Sequence, residues 1–326
     1  MSIVKSKQKV LLLAEKLRTL FIGREQVIRA MITATVAQEP VLFVGPPGTA
    51  KSLLVSAFCG AVGAVGTDYF EYMLTRFSEP GEILGPVDLQ KLKEGSYQRR
   101  TSGQLPEARI AFLDEIFKAN SAILNILLTL INEKKFYQDG RPFNVPLMML
   151  FAASNEIPEF GEFDALKDRF VLKIETRPVQ QEHFWKLIRT GLELDAKRGA
   201  YEVLQSLSAI GVTLDDFQAL HDYLETTVLA NALSENTQEA FSKPAMARLF
   251  KSLVALIQEE ENIVVTDRKL IKLVKLIYAD AMLFNKTESV THENMSLLAF
   301  AANDFSQIRR LELSIQDRLQ AGEALL

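Results

Sequence analysis

Apolar residues recur at helical spacing from about Lys5 to Leu20 and again from Arg24 to Ala37, with Gly23 marking the turn between them. The pattern then changes. PVLFVG (40–45) is apolar throughout and ends in glycine, which predicts a buried strand, and helical spacing resumes from Lys51 to Val62. Short apolar runs at Tyr69–Leu74, Ile110–Leu113, Leu147–Ala153 and Phe170–Ile174 predict four more strands. Strands apolar on both faces need cover on both. Their alternation with helices therefore predicts an α/β fold, a three-layer parallel sheet between helices.

Two polar segments interrupt this alternation. Residues 84–103 turn at Glu94-Gly95 and residues 135–146 at Asp139-Gly140, and both read as hairpins projecting from the body. After Pro178 strand signals fade. Amphipathic helices follow at about 180–194, 213–231, 243–258, 267–284 and 291–302, and the C-terminal stretch is helical in pattern. The expected organisation is an α/β unit over 1–178, an all-helical unit over 179–310 and a helical tail over 311–326.

Composition narrows the function classes. The 326 residues are 48% hydrophobic and 24% charged, the balance of an ordinary globular protein. A formal net charge of -4 supplies no overall basic field for nucleic acid or anionic lipid. Cys59 is the single cysteine, so no intramolecular disulfide forms, and it reads as a small apolar residue on a helix. The first twenty residues carry Glu15, Lys16 and Arg18 within their apolar pattern and read as an amphipathic helix, not a leader. No apolar run reaches the ~18 residues of a membrane span. The expected location is the cytoplasm.

GPPGTAKS (45–52) sits between a predicted strand and a predicted helix, the context that makes a phosphate-loop motif specific. Glycines let backbone amides turn toward phosphate oxygens, and the following helix presents its N-terminal amides. Gly45, Pro46, Pro47, Gly48, Thr49, Ala50, Lys51, Ser52 and Leu53 are the expected ATP-binding residues. Lys51 would contact the β- and γ-phosphates, and Ser52 would place its hydroxyl on Mg²⁺. Ala50 stands where glycine is usual, which is acceptable provided its φ is negative. IAFLDE (110–115) delivers two carboxylates at the carboxyl edge of the sheet, where ligands of open α/β folds bind. Asp114 would help hold Mg²⁺ and Glu115 would polarise the attacking water. Asn155, ending LMMLFAASNE, reads either as a γ-phosphate sensor or as a turn cap.

With GPPGTAKS, LDE and AASNE in that order, the chain resembles the AAA+ ATPases, and YMLTRFSEPGEILGP (72–86), TSGQLPEARIAFLDEI (101–116) and LLTLINEKKF (127–136) resemble the MoxR family, nearest its RavA branch. The resemblance implies an AAA+ core followed by an all-α lid. It also implies ATP with Mg²⁺ as cofactors and ring assembly, as a hexamer. Ile22 and Gly23 would lie beside the adenine, and the two hairpins would be the helix-2 and pre-sensor-1 insertions. Asn155 matches sensor 1, Arg169 in LKDRF an arginine finger reaching a neighbouring subunit, and Arg268 in VTDRKLIKL the sensor-2 arginine. Ion pairs are the alternative for both arginines, Arg169 with the flanking Asp168 and Arg268 with Asp267 or Glu260. A cation in the first turn of a helix opposes the helix dipole, which favours a phosphate partner for Arg268.

The leading function is then a ring ATPase that remodels or matures a protein partner bearing a von Willebrand factor A domain, with assistance to metal-cofactor insertion among the outcomes the resemblance implies. The motor subunit of a chelatase is the alternative. A nucleic-acid motor is disfavoured by the acidic balance, although Lys91, Lys93, Arg99 and Arg100 leave a basic tip open.

Overall fold

A computed structural model of the chain describes residues 2–158, 161–178, 205–233 and 244–323, with short pieces between 184 and 192. Most of the helix expected at 180–194 lies outside the described residues. Two helices, α1 (Ile3–Leu20) and α2 (Glu25–Ala37), precede β1 (Val41–Val44), and α3 (Lys51–Ala61) follows it. Next come β2 (Tyr69–Met73), α4 (Pro80–Leu84), α5 (Leu89–Lys93), β3 (Ile110–Asp114) and α6 (Ser121–Glu133). The hairpin β4 (Lys135–Gln138) and β5 (Arg141–Asn144), then β6 (Met149–Ser154), α7 (Asp164–Arg169) and β7 (Leu172–Glu175), complete the first half.

The five core strands form one parallel sheet in the order β2-β3-β6-β1-β7. Side chains alternate between its faces, as the pleat requires. Val41, Phe43, Ile110, Phe112, Phe151 and Leu172 enter a core shared with α1, α2 and α3. Leu42, Val44, Ala111, Leu113, Leu150 and Ala152 enter a second core under α6 and α7. The three-layer α/β expectation is met.

One of the two projecting hairpins differs. Asp139 and Gly140 both adopt positive φ, +48° and +72°, which suits the tight turn between β4 and β5. In 84–103, however, the first arm is the short helix α5, and only the bridge between Val87 and Arg99 is strand-like. Asp88 explains this, because its carboxylate accepts from the amides of Gln90 and Lys91 and so starts a helix. The two insertions touch, through Arg99 N donating to Gln138 Oε1 at 2.7 Å.

The second half is helical: α8 (Leu214–Tyr223) continued by a π-type segment (Leu224–Leu229), α9 (Pro244–Ala255), α10 (Asp267–Phe284), α11 (His292–Met295) and α12 (Phe305–Glu323). It packs on the α1–α2 side of the sheet. Phe58 of α3 meets Phe151 of the sheet edge-on at 5.7 Å and Phe217 of α8 at 5.5 Å, so one apolar core runs from strands to lid. Arg29 of α2 also grips Asp280 of α10 with two bonds of 2.8 and 2.7 Å. No described helix is long and apolar enough to cross a membrane.

Candidate functional site

The carboxyl ends of β1, β3, β6 and β7 meet at one edge of the sheet, and each delivers a chemically active residue there. After Val44 the chain enters the loop 45–50. Gly45 cannot be replaced without movement, because a Cβ would lie 2.1 Å from the carbonyl oxygen of Thr176 just past β7. Thr176 also donates its amide to Val44 O at 2.7 Å, closing the loop base. Thr49 is buried, its hydroxyl 3.0 Å from Pro46 O and 3.1 Å from the Thr176 hydroxyl. Pro46, Pro47, Gly48 and Ala50 are exposed along the loop, Ser52 is half-buried in the first turn of α3, and Leu53 is exposed.

Ala50 corrects an expectation. Its φ is +62° and its ψ +26°, the left-handed region, not the negative φ that the alanine was expected to need. Its carbonyl accepts from Leu54 N at 3.0 Å as α3 begins.

Lys51 folds its ammonium back over the loop, donating to Gly45 O at 2.6 Å and Pro46 O at 3.1 Å. Burial pulls its pKa below the ordinary lysine value, while Asp114 and Glu115 oppose that shift and Arg24 adds to it. The lysine therefore shares one electrostatic neighbourhood with both carboxylates. Asp114 Oδ1 accepts from Glu115 N at 2.8 Å, and Glu115 takes a left-handed φ of +53° that turns the chain sharply after β3. Asn155 donates its amide to Glu115 Oε1 at 2.6 Å, and Lys118 lies 3.4 Å from the same oxygen. Asn155 thus bonds the carboxylate, beyond any turn-capping role. Among the described residues no cluster of three or more His, Cys, Asp or Glu forms a metal cage. One hydroxyl and one carboxylate, Ser52 and Asp114, are what a Mg²⁺ completed by water and phosphate oxygens would use.

Arg24 was not foreseen. It is buried and donates to Arg177 O at 2.7 Å and to Thr49 O at 3.1 Å, tying the α1–α2 turn to the loop. It brings the buried Ile22 and the left-handed Gly23 (φ +66°) beside the loop as well. A single sequence offers no signal for it, since both acceptors are backbone carbonyls.

The two other arginines are not at this edge. Arg169 closes α7, before β7 begins, and pairs with Asp168 at 3.1 Å, while its Nε is buried without a partner. Asp168 in turn faces the Thr266 hydroxyl at 3.5 Å. Arg268, two residues on, lines a cleft with Pro40, the residue entering β1. It forms no ion pair with Asp267. Both arginines therefore stand at the amino edge of the sheet, opposite the loop of their own chain.

Comparison with known proteins shows the family and the fold. A family model described as the MoxR domain in the MoxR-vWA-beta-propeller ternary systems matches residues 8–213, more than half of the chain. Two uncharacterised proteins of Methanocaldococcus jannaschii are 42% identical over 56% of this chain and 48% of their own length, and 44% over 53% and 46%. The chain thus spans about half the length of these relatives. The chaperone MoxR1 of Mycobacterium tuberculosis is 26% identical over 68% of this chain and 59% of its own length. A crystal structure of a candidate ATPase from Cytophaga hutchinsonii superimposes with a TM-score of 0.70 at 15% identity, covering 97% of this chain and 96% of that one, a likeness of fold. The α/β core with its helical lid is the AAA+ architecture, and the chain belongs to the MoxR-domain family of the MoxR–vWA–β-propeller systems.

Proposed function

We propose that this chain is a MoxR-type AAA+ ATPase that binds ATP with Mg²⁺ between residues 45 and 53 and hydrolyses it at the border between neighbouring copies. The observation that carries the reading is the meeting of Lys51, Asp114 and the Glu115–Asn155 pair at one sheet edge. The residues fit the group. Lys51, now on two loop carbonyls, would hold the β- and γ-phosphate oxygens, and Ser52 and Asp114 would hold Mg²⁺, which would supply charge withdrawal from the phosphates. Glu115, held by Asn155, polarises water, and Asn155 registers the γ-phosphate through the same amide. Arg169 and Arg268 lie at the edge that faces away from this pocket and serve the pocket of a neighbour, in a ring we take to be hexameric.

The partner, on this reading, is a protein carrying a von Willebrand factor A domain, matching the systems for which the family is described. Remodelling of that partner, with assistance to metal-cofactor insertion, is the proposed outcome of turnover, in the cytoplasm. Placement in the RavA branch rests on motif resemblance alone. The nucleic-acid alternative loses support at its basic tip. There Lys91 pairs with Glu94, Arg100 with Asp88, and Arg99 bonds Gly85 O and stacks over Tyr97.

The test is complementation. Arg169→Ala keeps an intact Lys51 pocket and Lys51→Ala keeps an intact Arg169. Each alone should hydrolyse ATP poorly, and a mixture should recover activity. Arginine fingers contribute ~10³–10⁵ in rate in the best GTPase cases, and the lower end is expected here. A purely structural, half-buried pair with Asp168 predicts a lower melting temperature for Arg169→Ala but no rescue on mixing. Wild-type activity independent of chain concentration, with a mixture no better than its components, would refute the shared site.

A further inference from the structure

The amino edge of the sheet holds a second cavity. It measures about 320 Å³, within the range of small-molecule sites, and lies between the start of β1, the end of α6 and the lid helix α10. Lys134, Arg268, Lys272 and Lys275 line it together with His221, and Glu39 is the acid among its lining residues. Glu39 pairs with Lys272 at 2.7 Å, and Lys275 pairs with Glu225 at 2.6 Å. Among the described residues neither Lys134 nor Arg268 forms an ion pair. In the unassembled chain the cleft is left with two uncompensated positive charges, one of them the Arg268 that the proposed ring gives to a neighbour's ATP.

Lys134 is held there at a cost. It ends α6 in the left-handed region, φ +52°, where a lysine side chain is strained. Burial lowers its pKa to about 8, with Lys272 and Lys275 adding to the shift against the pull of Glu39. His221 donates its Nδ1 proton to Val36 O at 2.9 Å, because a carbonyl can only accept, and burial lowers its pKa. The ring is then neutral at pH 7, and its other nitrogen is left to accept. An unpaired ammonium crowded by two others is stabilised by an entering anion more than by water.

We propose that this cleft is a binding site for a small phosphate monoester. Such a group carries close to two negative charges at pH 7, equal to the surplus, and three oxygens that accept from converging donors. A single carboxylate would match half of the charge. Lys134 belongs to the α/β core and Arg268, Lys272 and Lys275 to the lid, so the bound ligand joins the two halves of the chain. The site is separate from the phosphate loop of its own chain and is read in the unassembled chain, where Arg268 has no neighbour to serve, so its test does not depend on ATP hydrolysis.

Isothermal titration of the 326-residue Lys51→Ala chain with glycerol 3-phosphate, and with inorganic phosphate as a second probe, reads this cleft with the loop contact removed. Saturable binding is expected, and Lys134→Asn in the same background should weaken it by about tenfold or more, the loss of one charge-assisted contact. Asparagine tolerates the left-handed backbone, so the variant should melt no lower than its parent, a check that the chain still folds. Absence of saturable binding to either probe, or equal binding with and without Lys134, would overturn the site. Binding that appears only at concentrations where chains associate would also overturn it, because the cations would then be meeting groups of a second copy.

Discussion

Ala50 offers a substitution whose sign can be worked from the backbone alone. At φ +62° and ψ +26° an L-residue brings its Cβ against the neighbouring carbonyl, at about 1–2 kcal/mol. Glycine removes that term and gives back about 0.4–1 kcal/mol through the greater freedom of the unfolded chain. The alanine methyl is exposed, so its loss forfeits little burial. The net expectation for Ala50→Gly is a stabilisation of roughly 0.5–1 kcal/mol, a rise in melting temperature of about 1–4 °C. The backbone is unchanged, and ATP affinity should stay within about threefold. Ala50→Val moves the other way, since a β-branched side chain is a worse occupant of the left-handed region. Thermal unfolding of the three chains, followed by nucleotide titration, decides the matter. If glycine lowers the melting temperature, residue 50 does not rest in the left-handed region.

Three further outcomes are expected. Glu115→Gln keeps the amide bond to Asn155 feasible but removes the charge that polarises water, so hydrolysis should fall by roughly 10²–10⁴-fold while ATP still binds; turnover within threefold of wild type removes Glu115 from catalysis. Arg24→Met deletes both ties to the Thr49 and Arg177 carbonyls and should cost about 1–3 kcal/mol, with weakened nucleotide affinity, and unchanged melting and affinity would count against its positioning role. Lys134 and Lys269 both have folded pKa values of about 8, below their unfolded values. Between about pH 8 and 9.5 the unfolded chain therefore holds more protons, and the denaturant-derived stability should rise with pH. Lys134→Asn should remove part of that rise, and a flat profile in the wild type contradicts the assignment.

The strands were readable because each needs apolar cover on both faces, and five such runs leave few arrangements other than a covered parallel sheet. The motif at 45–52 was readable for a different reason: the chemistry of phosphate binding fixes residue types in sequence, not only in space. What escaped was set by contacts that leave no local trace. Arg24 satisfies carbonyls at 49 and 177, and any donor of the right reach would serve, so its identity carries no pattern. The first insertion reads as a hairpin because two polar runs flank the turn-forming Glu94-Gly95. The single carboxylate of Asp88 redirects it into a helix by capping two amides. The sign of φ at Ala50 lay equally out of reach, since an alanine gives no local signal for a left-handed backbone.

The position of the arginines bears most on how the proposed ATPase would work. Pro40 enters β1 and Gly45 leaves it, and a strand rises ~3.3 Å per residue, so the cleft lined by Arg268 and the phosphate loop are separated by the full depth of the sheet. Arg169 shares the Arg268 edge, because α7 ends before β7 begins and β7 runs parallel to β1 with Leu172 opposite Val41. No side-chain rotation carries either guanidinium across that depth. A single chain consequently holds a phosphate loop and a water-polarising carboxylate at one edge, and unspent positive charge at the other. Head-to-tail assembly brings unlike edges together, and a heterologous contact of that kind forms a ring when the rotation between copies closes. On this reading the Arg169–Asp168 bond is the resting arrangement, with the buried Nε still lacking an acceptor, and a neighbour's phosphate is the group that completes it.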